Sequence, residues 1–251
     1  MHDSTLHQPF YDRTAEHVAV LIPSAWEGLG PALGRALEGL DTSSGPVVDV
    51  GAGTGEGTVV LARTLRSADI LAVEPHPLLR TALLTRVTAD KELAARVTVV
   101  GRDVLSATLP DRISGLIAMN VIGHLTPTER QSLWDVLAQR LDVNGRAVLN
   151  LSPPTRPESV PSAPMGEVTV GRHRYSGSAS AEPAGPDSVT WHMTYRVDED
   201  GDTLTEFTAS DRWYVFTSAQ LAAELAERGL RLLDADPEYG LYVITRRRGE
   251  D

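Results

Sequence analysis

The chain predicts an α/β fold, an open and mainly parallel sheet with helices packed on its faces. Three observations carry this. Val47-Val48-Asp49-Val50 is a short apolar run that stops at three alternate glycines, Gly51, Gly53 and Gly55, before a helical pattern begins at Thr58. Residues 68–73 form a second apolar run that ends in an acid, Glu74. Runs of the same kind at 96–101, 113–119 and 146–151 alternate with segments of helical spacing, the order expected of a parallel sheet.

Before the first strand, residues 1–9 read as a tail and Tyr11-Asp12-Arg13 as the opening of a helical region. Ser24-Ala25-Trp26-Glu27 has the form of a capping box. Leu29, Leu33, Ala36, Leu37 and Leu40 then recur at helical spacing, so two helices are expected, with Gly28, Gly30 and Pro31 weakening the start of the second. After Glu74 comes Pro75-His76-Pro77, with His76 read as an exposed turn residue. A helix follows with Leu78, Leu79, Ala82, Leu83 and Val87. Thr126-Pro127-Thr128-Glu129 is a second capping box with proline at the first helical position. Its helix runs to about Leu141 and leaves through Asn144-Gly145. Thr217-Ser218-Ala219-Gln220 is a third box, and Gly229 ends its helix. Residues 230–235 and 240–246 form a closing pair of strands around Pro237-Glu238.

Between these last two helices the pattern changes. Residues 152–164 hold five prolines, which rules out helix or central strand and predicts a loop at the ligand edge of the sheet. Period-two alternation follows. Val189, Trp191, Met193, Tyr195 and Val197 share one face; Thr190, His192, Thr194 and Arg196 share the other. Asp200-Gly201 is a hairpin turn, Thr203 to Phe216 returns, and shorter strands are expected at 168–170 and 174–176 across Gly171. The expected organisation is a helical segment at 1–44, an α/β core at 45–151, an antiparallel β insertion at 152–216, and a C-terminal helix and strands completing the core at 217–251.

Composition bounds the function. A net charge of −11 argues against nucleic acid or an anionic membrane as partner. Cysteine is absent, which removes disulfides, thiolate nucleophiles and cysteine zinc sites. The histidines are scattered without a ligand spacing, so no metal is expected. Lys91 is the single lysine and sits among polar residues, a poor setting for Schiff-base chemistry. No apolar run reaches membrane-spanning length. Met1-His2-Asp3-Ser4 lacks the basic and apolar parts of a signal peptide, so the expected address is the cytoplasm.

Strand, glycine turn and helix begin a Rossmann-like mononucleotide-binding unit. An acid at the tip of the second strand, here Glu74, is placed to accept ribose hydroxyls of an adenosine. The dinucleotide fingerprint asks for a third glycine where Glu56 stands, and an acid at that helix N-terminus repels a pyrophosphate. A cationic ligand without phosphate meets no such objection.

Together, V-V-D-V-G-A-G-T-G at 47–55 and A-V-E-P at 72–75 resemble the class I S-adenosylmethionine (SAM)-dependent methyltransferases, over roughly residues 45–150 and more loosely beyond. The resemblance implies a seven-stranded sheet, six strands parallel and one reversed, with an N-terminal helical lid. It implies cofactor contacts at Asp49, Gly51, Ala52, Gly53, Gly55, Glu74 and Pro75. It also implies Asp103 at the adenine amino group, Val104 against the ring, Met119 through its carbonyl, and Tyr11 near the sulfonium, where aromatic faces attract onium ions. I-G-H-L at 122–125 is similar to the corresponding stretch of aminosugar-type N-methyltransferases, where the histidine lines the acceptor site. His124 is therefore the candidate base. Tyr175, Trp191, Tyr195 and Arg212, in an insertion rich in rings for a chain with 5% aromatics, are candidate acceptor contacts together with Tyr11 and His124. The alternative for the insertion's rings is a homodimer surface. The expected function is methyl transfer from SAM, leaving S-adenosylhomocysteine, to N or O of a small specialised metabolite or sugar. Two readings stay beside it: a methyltransferase-fold protein that cyclises or isomerises its substrate, and an NAD(P)-dependent oxidoreductase.

Overall fold

The computed structural model describes residues 8–247; residues 1–7, which include Met1-His2-Asp3-Ser4 and most of the expected tail, and residues 248–251 lie outside them. In chain order the elements are α1 (Gln8–Leu37), β1 (Val47–Val50), α2 (Glu56–Thr64), β2 (Ile70–Val73), α3 (Pro77–Ala89), α4 (Lys91–Arg96), β3 (Val97–Val100) and β4 (Ile113–Ala118). A 3-10 turn (Ile122–His124), α5 (Pro127–Arg140) and β5 (Leu141–Asn150) follow. Then come β6 (Val160–Val170), β7 (His173–Pro183), β8 (Ser188–Glu199), β9 (Asp202–Tyr214), α6 (Ser218–Ala226), β10 (Leu230–Asp236) and β11 (Leu241–Arg246). The chain forms two compact units. Among the described residues, one takes 8–27 with Pro153–Val215; the other takes Gly28–Ser152 with 216–247.

The larger unit holds a seven-stranded sheet in the order β10-β11-β5-β4-β1-β2-β3. Strands β3, β2, β1, β4 and β5 pair in parallel. β11 runs antiparallel to both β5 and β10, so six strands point one way and β11 is reversed, as expected. The strands β1 and β4 are buried along their whole length, the mark of a parallel sheet covered on both faces. The Thr126 and Thr217 capping boxes are both formed. One core includes Val48, Ile113, Leu116, Leu133, Trp134, Leu137, Leu221, Leu225 and Ile244.

Two expectations are corrected at the N-terminus. Helix α1 is one helix of 30 residues, not two, and Gln8 and Pro9 belong to it rather than to a tail. Ser24 caps nothing; its hydroxyl donates to the Leu21 carbonyl at 2.8 Å. The helix passes through Pro23 and Pro31, both exposed, so each ring stands on the side away from the core, where a lost backbone bond costs least. The glycines that weakened the sequence reading have a packing role. A Cβ on Gly30 or Gly34 would stand 3.3 Å from Val60 or Thr64 of α2. One on Gly28 would fall 2.3 Å from the Tyr239 hydroxyl.

The smaller unit is a four-stranded antiparallel sheet, β6-β7-β8-β9, with the first part of α1. The Asp200-Gly201 turn joins β8 and β9, both residues at positive φ. The proline-rich loop is shorter than expected: β6 begins at Val160 and includes Pro161 and Pro164. It is an edge strand with two register shifts against β7, the setting in which a sheet accepts prolines. The two short strands expected at 168–170 and 174–176 are the ends of β6 and β7, each 11 residues long.

Candidate active site

Strand order brings the C-terminal ends of β5, β4, β1, β2 and β3 side by side, and in open α/β sheets ligands bind outside these ends. The turn after β1 is set by Gly51, Gly53 and Gly55 at φ +62°, +57° and +99°, values that glycine adopts at no steric cost. A Cβ on Gly55 would meet Leu83 at 2.8 Å. A Cβ on Gly53 would find nothing nearer than the Gly51 carbonyl at 3.9 Å, so the turn is open above Gly53.

Glu74 stands beside that opening. Its Oε2 accepts the Gly53 amide at 2.8 Å and its Oε1 the His76 amide at 2.7 Å. Burial is the main cause that raises its pKa, opposed by those two amides and by Arg80. Asp49 is 2% exposed and accepts the Thr58 hydroxyl at 2.6 Å. Burial pushes its carboxyl up to about 7, against the Thr58 bond and with the charges of Glu74 and Glu56 adding to the rise. Ala52 is buried in the turn, and the Pro75 carbonyl takes an Arg80 guanidinium bond at 2.8 Å. His76 is 4% exposed, so the exposed turn histidine expected from sequence is corrected: its position between Glu74 and α3 folds it inward.

Glu56 is also buried. It accepts the Thr54 hydroxyl at 2.5 Å and pairs with Arg86 of α3 at 2.6 Å. Its charge is thus matched within the protein, and its repulsion of a pyrophosphate is weaker than the sequence argument assumed.

At the tip of β3, Asp103 Oδ1 accepts the amides of Leu105 and Ser106, both at 3.0 Å, and Oδ2 takes the Ser106 hydroxyl. The carboxylate caps its own turn. Val104 and Met119 are buried. His124 ends the 3-10 turn after β4, half-buried, with its amide donating to the Val121 carbonyl at 2.8 Å. The larger unit therefore gathers Asp49, Gly51, Ala52, Gly53, Gly55, Glu74, Pro75, Asp103, Val104, Met119 and His124 along one sheet edge.

The remaining candidates lie in the smaller unit. Tyr11 is on α1, edge-on to Phe10 at 5.1 Å. Tyr175 and Tyr195 come together around His17, with ring centroids 5.8 and 5.1 Å away, and Tyr175 donates to Glu16 at 3.2 Å. Trp191, on the same face of the sheet, packs in a separate cluster with Ala181, Val189, Val215 and Trp213. Arg212 is exposed on the opposite face, in register with Thr190. Sequence reasoning passed over Asn120, Asn150 and the Glu56–Arg86 pair. For Asn120 a signal existed: asparagine just past a strand tolerates the left-handed region.

Among solved structures the chain is similar to the sugar N-methyltransferase KedS8 from Streptoalloteichus sp ATCC 53650, at 20% identity over 87% of each chain and a TM-score of 0.67. It is similar to CalS10, a SAM-bound amino pentose methyltransferase from Micromonospora echinaspora, at 17% identity, 88% of this chain, 91% of that one and 0.69. It is also similar to DesVI from Streptomyces venezuelae, at 18% identity, 98% of this chain, 99% of that one and 0.68. The fold is that of class I methyltransferases. No family model matches the sequence, and no curated protein matches it.

Proposed function

We propose that the protein is a SAM-dependent methyltransferase whose acceptor is an amine on a small, sugar-like metabolite. The observation that carries this reading is the open glycine turn with the Glu74 carboxylate held against it by two backbone amides. A carboxylate so fixed suits paired ribose hydroxyls, and charged hydrogen bonds of this kind contribute about 1.5–3 kcal/mol each. Asp49 and Glu74 are both buried beside the turn, and among the described residues no arginine or lysine side chain is bonded to either carboxylate there, so neither brings a side-chain cation to meet a pyrophosphate. The likeness to KedS8 and CalS10 supports a sugar amine as acceptor, and SAM in the CalS10 structure supports the cofactor.

The bound cofactor supplies an activated methyl group together with its leaving group. The protein's part is to hold, orient and deprotonate. Glu74 would hold the ribose, Val104 would pack on the adenine, and the Met119 carbonyl would take the cofactor's amino group. Asp103, already engaged with its own turn, keeps lone pairs for the adenine amine. Positioning of an acceptor at attack distance lowers such a barrier by about 7–11 kcal/mol. His124 takes the acceptor proton, adding about 10²–10⁴ in rate. A hydroxyl acceptor needs this base more than an amine does.

Calorimetry with S-adenosylhomocysteine tests the cofactor half. The protein should bind it, and Glu74→Ala should weaken binding at least about tenfold, the effect of losing roughly 1.4 kcal/mol; undiminished uptake by the variant refutes the site. Incubation with SAM and a panel of aminosugars and matching hydroxyl sugars tests the other half. Mass spectrometry should find methylated amine and equimolar S-adenosylhomocysteine. A product altered without S-adenosylhomocysteine would point to cyclisation or isomerisation, and a methylated hydroxyl to O-transfer.

A further inference from the structure

Strand β4 leaves the sheet at Met119, and the next residue, Asn120, has φ +57°. Among the described residues only Asp200, in a hairpin turn, shares a positive φ without being glycine. Two bonds tie Asn120 to Asn150, the last residue of β5. Asn150 Oδ1 accepts the Asn120 amide at 2.7 Å, and Asn150 Nδ2 donates to Asn120 Oδ1 at 2.7 Å. The same Nδ2 reaches the Ser152 hydroxyl at 3.3 Å. Asn150 is 7% exposed, and its partners fix which way its amide points.

The other side of the segment is held by shape. Val121 lies so close to the glycine turn that a Cβ on Gly51 would stand 2.5 Å from Val121 Cγ2. The segment that follows Met119 is thus gripped at its start, at Asn120 from β5 by an amide pair and at Val121 from β1 by a valine against a glycine. His124 stands three residues further on.

Packing alone does not call for this arrangement. β4 and β5 are already in register from Gly115 to Ala118, and an apolar residue at position 150 would extend their core. A buried amide pair and left-handed backbone instead stand at the sheet edge where ligands bind, and strained backbone collects at such sites.

We propose that the Asn120–Asn150 pair is a positioning device: it sets His124 relative to the glycine turn, and so governs the rate of transfer rather than affinity for the cofactor. The inference rests on the methyltransferase reading above, but half of its test does not. Hydrogen exchange of the His124 and Leu125 amides, measured on the ligand-free protein, should speed up about tenfold or more in Asn150→Ala. In Asn120→Asp, which keeps the acceptor and tolerates the backbone, it should stay near the wild-type rate. Asn120→Gly, which suits the backbone but drops the side-chain bond, should fall between. With the aminosugar acceptor from the panel, Asn150→Ala should cut kcat at least about tenfold. KM for SAM and the Kd for S-adenosylhomocysteine should stay within about threefold, and Asn120→Asp should retain activity. Unchanged exchange in Asn150→Ala overturns the clamp. So does a loss of S-adenosylhomocysteine affinity as large as the loss of kcat. Failure of the wild type to bind S-adenosylhomocysteine would sink the methyltransferase reading, while the exchange result would still judge the clamp.

Discussion

At the scale of single residues, the site is shaped by what burial does to carboxylates. Asp49 sits at the end of β1 with its carboxyl raised from 3.8 to about 7, chiefly by burial. A folded pKa above the unfolded one means that folding favours the protonated acid. This contribution is complete below about pH 3.8 and is lost as pH rises through about 7. Asp49→Asn keeps an acceptor for the Thr58 hydroxyl and removes the ionisation. In scanning calorimetry of the ligand-free protein, the variant's gain in Tm over wild type should be larger at about pH 8 than at about pH 5. Equal gains at both would show that Asp49 is not the titrating group. The sequence marked Asp49, Glu74 and the glycines, because backbone freedom and an acid at a strand tip are local features. It could not reveal that Glu56 meets Arg86, since the pair joins the starts and ends of different helices across 30 residues.

At the scale of elements, α1 shows how packing overrides local signals. Ser24 to Glu27 satisfies the capping pattern, yet the chain stays helical through Pro23 and Pro31, both of which fall on the exposed side. Three of its glycines permit close contact with α2 and Tyr239. The first part of α1 also carries His17, 5% exposed and with neither ring nitrogen hydrogen-bonded. Its ring lies among Tyr175, Tyr195 and Phe207. Arg13 stacks over Phe207 at 5.1 Å. Burial lowers the His17 pKa below 6.5, with the Glu16 charge opposing. The folded unit therefore prefers the neutral ring: this stability is full above about pH 6.5 and is lost as pH falls toward the depressed value. Exchange protection of the amides at 10–22 should fall between about pH 7 and pH 5 once corrected for intrinsic rates, and His17→Phe should flatten that fall. The same slope in both proteins would assign it to other groups. Arginine serves the elements in another way. Arg96 donates to the carbonyls of Ala62, Leu65 and Ala68, and Arg146 to those of Ala36 and Glu38. These close the C-terminal ends of α2 and α1 with forks that a lysine does not have.

At the scale of the whole molecule, the sheet of the larger unit is completed by the end of the chain. α6, β10 and β11 follow the insertion in sequence but rejoin the core through Leu221, Leu225, Leu230 and Ile244, none more than 1% exposed. Each such side chain contributes about 1.5–3 kcal/mol on burial, and the four together are comparable with a domain's net stability of about 5–15 kcal/mol. A chain ending before Thr217 should therefore lose its cooperative thermal transition and near-ultraviolet circular dichroism; a sharp transition in that variant would refute the dependence. No helix among the described residues is long and apolar enough to cross a membrane.

The amino-acid order alone determined the strand–glycine–helix start, the Glu74 strand tip, two of the three capping boxes and the antiparallel insertion. Each is written within a few neighbouring residues, where backbone sterics and period decide. Tertiary structure decided the single α1, the edge strand through Pro161 and Pro164, the inward His76, and the Asn120–Asn150 and Glu56–Arg86 pairs. Those depend on which side faces water and which distant side chain arrives, and no local pattern encodes either.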